Sequence, residues 1–460
     1  MKNIFLFFIL SSFFFVSLCL QSDFQIYYDN YDEDDIISSL RKTYIEIESS
    51  FGSNMDKFKP VLDTESQAIV IPSAEYNTPG NVQKFNKSTS STFVEQKKIG
   101  MQFNGEKFYS GIMGNDNFKL GNSEVIKKKI SFIIATAYSS LTFNYYNYAF
   151  IGLKPFIIGD ETKYNIIEQM KNDDLISNAT WFLNFESDTK GKFVIGTLPD
   201  IIYSNIYSSE DMIQTHLQKN IYSLKFGEIY YGKIDNYEKR KSVEEFHTLA
   251  KININTRLFQ CTPDYGTIIY NSFFGKKIED GICNQGYLQD KYIYYYCHKN
   301  KFKMSEMDNL NFVIKKQEGN MTFVFEPKDL FYEHKEYLYF LIIYKPEDYD
   351  SSPDSEWVLG TLFLKKYIIT FNRNDNLAYF YTKTINKNEQ NSGNSSVKYI
   401  IIISVLSVIF ISCIGFLLYF IKKNKPRKKK ANELIDDEFD YTTKQNEEGG
   451  DSALFNEKNS

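Results

Sequence analysis

Short runs of apolar residues, many alternating with polar ones, follow one another along most of this chain and predict a protein built mainly of β-strands. Valine, isoleucine, tyrosine and phenylalanine dominate these runs, and turn-forming residues separate them. Typical runs are YIEIE, QAIVI, SFIIATAY, TIIY, YIYYY, TFVF, YLYFLIIY and YIITF. Few stretches have a helical period, one exception being YNIIEQMKNDDLI around Asn165. The pattern therefore predicts a mostly β body.

One motif occurs in both halves of that body. VLDTESQAIVIPS is centred on Asp63, and CTPDYGTIIYNSFF is centred on Asp264. A hydroxyl residue follows each aspartate three positions later, and a run of strand formers comes next. Much further along, each motif is followed by two apolar residues and a glycine, Gly152 in the first half and Gly360 in the second. The repetition indicates two related halves.

These segments resemble the lobes of pepsin-like aspartic proteases, whose motif is Asp-Thr-Gly followed by Ser or Thr in each lobe. Other blocks match in the same order: FNKSTSSTF, the flap-like GEKFYSGIMGNDNFKLGN, the turn AFIGL and the closing segment SEWVLGTLFLKKYIITFNRNDNLAYF. The resemblance covers residues 43–382. It implies a bilobal, mostly β fold with pseudo-twofold lobes at residues 43–205 and 206–385.

The resemblance implies that Asp63 and Asp264 form a catalytic pair. Two carboxylates a few ångströms apart share one proton, so one activates a water as base while the other protonates the scissile carbonyl. Hydrogen bonds from Thr64, Ser66 and Thr267 would support the pair. The function implied is an aspartic endopeptidase that needs no cofactor and takes extended peptides.

Four positions depart from the family motif. Glu65 replaces the glycine of the first loop, and Tyr265 replaces the threonine of the second. Val70 occupies the position of the family's tryptophan, and Asn104 falls nearest the tyrosine of the flap. These departures leave a second interpretation open, a catalytically inactive peptide-binding or adhesion protein at the membrane. A third is a glycosylated surface structure without a peptide ligand.

Charge and histidine usage exclude other classes. The net charge of −5 gives no footprint for nucleic acid. The spacing of the histidines matches no metal motif, so we expect no metal site. The four histidines are His216, His247, His298 and His334.

The N-terminus predicts a secreted protein. Residues 1–19 have a basic start, a short apolar run and small residues near Cys19, as in a signal peptide. A membrane-retained anchor is the alternative. Residues 20–42 contain the acidic stretch DNYDEDD, and we expect a short solvated, mobile segment there rather than a basic prosegment.

The C-terminus predicts a single-pass type I membrane protein. A polar stalk at residues 386–398 precedes the uncharged apolar run 399–421, which is long enough to cross a bilayer. The tail 422–460 starts with the basic cluster KKNKPRKKK, which favours the cytoplasmic side, and then becomes acidic. Interpreting KPRKKK as a nuclear signal is the alternative. We expect the body in the lumen of the secretory or endolysosomal pathway, or outside the cell.

Cysteines and sequons fit an oxidising compartment. Cys283 and Cys297 could close a small loop in the second half, which would leave Cys261 over. Four Asn-x-Ser/Thr sequons are candidate glycosylation sites. They are Asn86, Asn178, Asn320 and Asn394.

Overall fold

The computed structural model describes most of the chain between Cys19 and Tyr381. The described ranges are 19–28, 32, 34–75, 83–103, 107–123, 126–138, 149–154, 165–218, 222–232, 241–244, 248–289, 291–316, 319–346 and 356–381. All of them lie in the first of two compact units, Met1–Ile385. The predicted stalk, span and tail, and nearly all of the predicted signal peptide, lie outside the described residues.

The first half of the described chain consists mainly of strands, as the alternating pattern predicts. They are β1 (Leu20–Tyr28), β2 (Thr43–Ile47), β3 (Ser49–Phe51), β4 (Asp56–Phe58), β5 (Val61–Asp63), β6 (Ile69–Pro72), β7 (Val94–Phe103), β8 (Lys107–Leu120), β9 (Ile126–Tyr138), β10 (Phe150–Gly152), β11 (Thr180–Phe185) and β12 (Lys190–Ile195).

The second half continues in the same way. Its strands are β13 (Met212–His216), β14 (Ser223–Phe226), β15 (Glu228–Tyr231), β16 (Lys241–Glu244), β17 (Thr248–Ile252), β18 (Phe259–Cys261), β19 (Cys283–Leu288), β20 (Tyr292–His298), β21 (Leu310–Lys316), β22 (Gly319–Phe325), β23 (Phe331–His334), β24 (Tyr337–Phe340), β25 (Ile342–Tyr344), β26 (Trp357–Leu359), β27 (Ile368–Asn372) and β28 (Leu377–Tyr381).

The helices are short, and most begin at a side chain or proline that favours a helix start. Asn165 caps the helix predicted around it, since its Oδ1 accepts a hydrogen bond from Ile167 N at 2.9 Å. The helices are α1 (Ile36–Arg41), α2 (Ile166–Asn172), α3 (Pro199–Ile202), α4 (Pro263–Ile269), α5 (Gly275–Glu279), α6 (Pro327–Leu330) and α7 (Thr361–Lys366), and a π-helical turn, Tyr270–Phe274, joins α4 to α5.

The strands form sheets of 15, nine and four strands. We call β2 to β10 the first lobe and β14 to β26 the second lobe. The remaining strands form an antiparallel run in the order β13-β28-β27-β11-β12-β1 and continue from β1 into β2 of the first lobe. This run contains chain from both ends of the described body, and the buried Trp181 of β11 stacks on Phe371 of β27 at 4.6 Å.

The described part of residues 20–42 is packed into the body and is not the solvated, mobile segment that the sequence predicts. β1 pairs with β12 on one side and β2 on the other, and Phe24 and Ile26 are buried. Ile36 and Leu40 of α1 are also buried. In the sequence, an amphipathic strand precedes the acidic stretch and a helix with an apolar face follows it. Burial of their apolar side chains holds both elements against the body.

Two predictions about the ends and the cysteines have different outcomes. Cys283 and Cys297 face each other across β19 and β20 and form the predicted disulfide, while Cys261 lies buried in β18 as a thiol. Among the residues described, no helix is long and apolar enough to cross a membrane. The predicted span at 399–421 lies outside them.

Candidate active site

Asp63 ends β5 at the centre of the first lobe. β5 runs parallel to β10, which places Gly152 beside Asp63, and Leu153 N donates to Asp63 O at 2.8 Å. A Cβ on Gly152 would lie 2.5 Å from Ser66 O, so a glycine lets the loop after Asp63 pack against β10. The predicted Asp63 and Gly152 are therefore brought together.

The carboxylate of Asp63 is 5% exposed and is surrounded by donors. Its Oδ1 accepts from Glu65 N at 2.8 Å and from Asn255 Nδ2 at 3.0 Å. Its Oδ2 accepts from Ser66 Oγ, the support predicted for that residue. Hydrogen bonds to both oxygens therefore fix the orientation of this side chain.

The second lobe repeats this arrangement with Asn253 in the place of Asp63. β17 runs parallel to β26, with Ile252 beside Leu359, and the next position places Asn253 beside Gly360. Asn255 N donates to Asn253 Oδ1 at 2.8 Å, the same bond that Glu65 N makes to Asp63. A Cβ on Gly360 would lie 2.5 Å from Thr256 O, which matches Ser66 at Gly152.

Thr64 joins the two loops and shows independently which residue faces the first loop. Its Oγ1 donates to Ile252 O at 3.4 Å and accepts from Ile254 N at 3.5 Å, so it grips the residues on either side of Asn253. Thr64, which was predicted to support the pair of aspartates, therefore bonds to the Asn253 loop.

The predicted second catalytic residue, Asp264, is not at this site. It lies exposed in the first turn of α4, beyond β18, and Thr267 is exposed on the same helix with its Oγ1 bonded to Pro263 O at 3.1 Å. Tyr265 does not stand in the loop position assigned to it. Its ring is buried against Trp357 at a centroid distance of 4.9 Å, and Ile254 occupies the threonine position instead.

The sequence contained signals for both corrections. Thr262 followed by Pro263 is a helix start, and Thr262 Oγ1 accepts from Tyr265 N at 3.4 Å. Asn253 is followed three positions later by Thr256, the spacing that Ser66 has from Asp63. A search for a second aspartate passes over Asn253 because the side chain is an amide.

Glu65 points across the pseudo-twofold axis toward the second lobe. Its carboxylate forms an ion pair with Lys251 of β17. The side chain of Glu65 is 24% exposed and that of Lys251 is 34% exposed. Lys154 lies close to this pair. Burial first, and the nearby Lys251 second, hold the pKa of Lys154 below its ordinary value, while Glu65 and Asp63 oppose this shift. Two ammonium groups and two carboxylates therefore share the base of the site.

The remaining predicted positions are spread over the molecule. Val70 is buried in β6 beside Phe150, and Asn104 lies outside the described residues. Of the sequons, Asn86 and Asn320 are exposed, Asn178 is half-buried, and Asn394 lies outside the described residues. Within the described ranges, no three His, Cys, Asp or Glu side chains are arranged to hold a metal ion.

Chemically, the Asp63 carboxylate faces amides, while the other carboxylate at the base of the site, that of Glu65, is held in its ion pair with Lys251. Asp63 can accept a proton or a hydrogen bond, whereas the carboxamides of Asn253 and Asn255 neither gain nor lose a proton near neutral pH. The Oδ1 of Asn255 is buried, and no described group donates to it. The arrangement can bind donors and acceptors of a peptide, and among the described residues the position that matches Asp63 in the second lobe holds an amide, Asn253.

Comparison with known proteins agrees with the fold and with the repeated loops. The family model for eukaryotic aspartyl proteases matches residues 44–381. No curated protein matches the chain. The match covers well over half of the sequence, including both loops around Asp63 and Asn253, and the chain therefore belongs to the eukaryotic aspartyl protease family.

Proposed function

We propose that this protein binds extended peptides in the cleft of an aspartyl protease fold without hydrolysing them. The observation that carries the proposal is Asn253, which occupies in the second lobe the position of Asp63 in the first. Peptide hydrolysis by this family's chemistry needs one carboxyl group as base and a second as acid. A carboxamide cannot exchange a proton with the water or with the scissile carbonyl.

The contact between Asn255 and Asp63 supports the same proposal. In the family motif this position is a glycine, whereas here the side chain reaches across the lobes and donates to Asp63 Oδ1. That oxygen already accepts from Glu65 N. A water bound there would have to displace or share the additional donor from Asn255, so Asp63 is poorly placed to activate one.

Family membership supports the peptide ligand. An extended peptide can pair its backbone with strand edges in β fashion, which gives affinity without catalysis. The long hairpin of β7 and β8 follows the first site loop, in the position that the resemblance gives to the flap. The cleft is thus the part of the fold whose use does not depend on a second carboxylate.

The direct test compares cleavage with binding in the purified full-length protein. We expect no cleavage of a denatured protein at mildly acidic or neutral pH, but measurable binding of a statine-type peptide by calorimetry. Asp264→Ala is the control, and it leaves binding unchanged because Asp264 is exposed on α4. Cleavage by the natural protein that disappears in Asp63→Ala would overturn the proposal and support an active endopeptidase.

Restoring the family motif provides a gain-of-function test. Asn253→Asp with Ile254→Thr and Asn255→Gly recreates Asp-Thr-Gly in the second loop, and Glu65→Gly with Lys251→Val recreates the first without leaving Lys251 unpaired. We expect cleavage to rise by about 10²- to 10⁴-fold over background, the usual contribution of acid–base catalysis. The same set with Asn253 retained is the matched control and stays inactive.

The compartment is a separate proposal that rests on sequence alone. The apolar run 399–421 and the basic residues after it support a single membrane span with the body on the lumenal or extracellular side. In microsomes, we expect residues 20–385 to be protected from added protease and the tail to be digested. A glycosidase should reduce the apparent mass if the exposed Asn86 and Asn320 carry glycans.

A further inference from the structure

Tyr222 connects the two site loops although it belongs to neither. It lies just before β14 as a buried residue, and its ring packs on Trp181 at 5.2 Å and on Phe371 at 4.6 Å. Its hydroxyl accepts a hydrogen bond from Trp181 Nε1 at 2.8 Å and donates one to Leu153 O at 2.5 Å. The hydroxyl therefore reaches the residue that follows Gly152 in the first lobe.

The backbone of Tyr222 holds the second loop. Its carbonyl accepts from Ile252 N at 2.7 Å, directly before Asn253. Leu153 N in turn donates to Asp63 O at 2.8 Å, and Thr64 Oγ1 donates to Ile252 O at 3.4 Å. These bonds form a closed circuit. It runs from Tyr222 through Leu153 to the Asp63 loop, crosses to Ile252 before Asn253, and returns to Tyr222.

We propose that Tyr222 is a positioning residue that holds the Asp63 loop and the Asn253 loop in register across the two lobes. The ring, wedged between aromatic side chains, fixes where the hydroxyl is, and the hydroxyl fixes the carbonyl of Leu153. Since buried hydrogen bonds in a low-dielectric interior are directional and costly to leave unmade, the circuit resists a shift of one loop against the other. The consequence for peptide binding rests on the proposed function.

The circuit predicts which change is specific. Tyr222→Phe keeps the ring packing but leaves Leu153 O with one donor fewer and Trp181 Nε1 without its acceptor. Tyr367→Phe is the matched control, because the hydroxyl of Tyr367 also donates to a backbone carbonyl, Val324 O, at 2.9 Å. Val324 belongs to β22 and not to a site loop. Both variants lose one hydroxyl that bonds a backbone carbonyl, buried in Tyr222 and half-buried in Tyr367.

The test is hydrogen exchange of the full-length protein, followed peptide by peptide. We expect the segments with Asp63 to Ser66 and with Ile252 to Thr256 to exchange about tenfold faster in Tyr222→Phe than in Tyr367→Phe at equal thermal stability. Affinity for a statine-type peptide should fall by about the same factor. Equal exchange of both segments in the two variants would overturn the proposal.

Two further outcomes keep the tests separate. Should Tyr222→Phe fail to fold, exchange of the natural protein at rising low denaturant replaces it. In that measurement the two loops must open together as one unit, and separate openings would contradict the circuit. Peptide cleavage by the natural protein would refute the proposed function, but the exchange measurement would still decide the role of Tyr222.

Discussion

At the scale of the residue, the two loops of the site differ in the side chain at one matched position, Asp63 in the first lobe and Asn253 in the second. Asp63 keeps the donors that a catalytic aspartate needs, from Ser66 and from Glu65 N. Opposite it, Asn253 makes the same turn with an amide. An asparagine in place of an aspartate therefore needs no disturbance of the loop, because Asn and Asp accept the same backbone hydrogen bond.

The Glu65–Lys251 ion pair allows a prediction at this scale. Glu65→Lys alone would place three ammonium groups, those of position 65, Lys154 and Lys251, in one half-buried site. We expect this variant to lower the free energy of unfolding by about 2 kcal/mol. Adding Lys251→Glu restores an opposite pair and should recover at least half of that loss. Urea unfolding of the single and double variants measures the coupling, and strict additivity would show that the pair does not bind the lobes together.

At the scale of the element, the strand or helix that contains each aspartate determines whether that aspartate lies in a site loop. Asp63 lies in the site loop because a strand, β5, ends at it and continues into that loop. Asp264 lies elsewhere, because Thr262 and Pro263 start a helix there and carry its side chain into solvent. The second loop instead follows β17, which ends at Ile252. The apolar Ile252 precedes Asn253 as the apolar Leu62 precedes Asp63.

The disulfide between β19 and β20 gives a prediction for an element. It closes a loop with a sequence separation of 14 residues, and removing such a link costs about 2–3 kcal/mol by loosening the unfolded chain. We expect Cys283→Ser with Cys297→Ser to lower the midpoint of thermal unfolding, while the site loops remain intact by hydrogen exchange. If the reduced natural protein and the double variant were as stable as the oxidised protein, the disulfide would not stabilise the fold and the prediction would be wrong.

At the scale of the whole molecule, aromatic side chains fill both lobes and the strands between them. Tyr207, Tyr231 and Tyr367 illustrate the consequence, since burial raises the pKa of each from 10.0 to about 12. Their neutral hydroxyls are part of the packed interior. An ionised phenolate would have to be solvated, which the folded molecule opposes.

This burial predicts an alkaline limit to stability. A raised pKa in the folded state contributes stability that is complete below pH 10 and is lost as the pH rises through about 12, because the unfolded chain releases the protons first. We expect the unfolding midpoint to fall steeply in that window. Tyrosinate absorbance should show an early step from exposed rings and a late step that coincides with loss of structure. A late step without unfolding would contradict the assignment.

The sequence by itself determined a good deal of this protein. The period of its apolar residues established a mostly β body, because alternation has a direct meaning in an extended strand. The ordered blocks over residues 43–382 indicated the family, which the family-model match over residues 44–381 shows, and the positions of Cys283 and Cys297 allowed the disulfide that the structure contains. Local patterns of this kind depend on residues that are near one another in the chain.

The tertiary structure decided which side chain faces Asp63 and where the N-terminal segment goes. Asn253 is opposite Asp63 because β17 pairs with β26 and Thr64 grips the residues beside it, which are contacts between distant parts of the chain. β1 is buried because β2 and β12 meet on both its sides. Register between remote strands is set by packing of the whole molecule, and a motif search within one segment has no access to it.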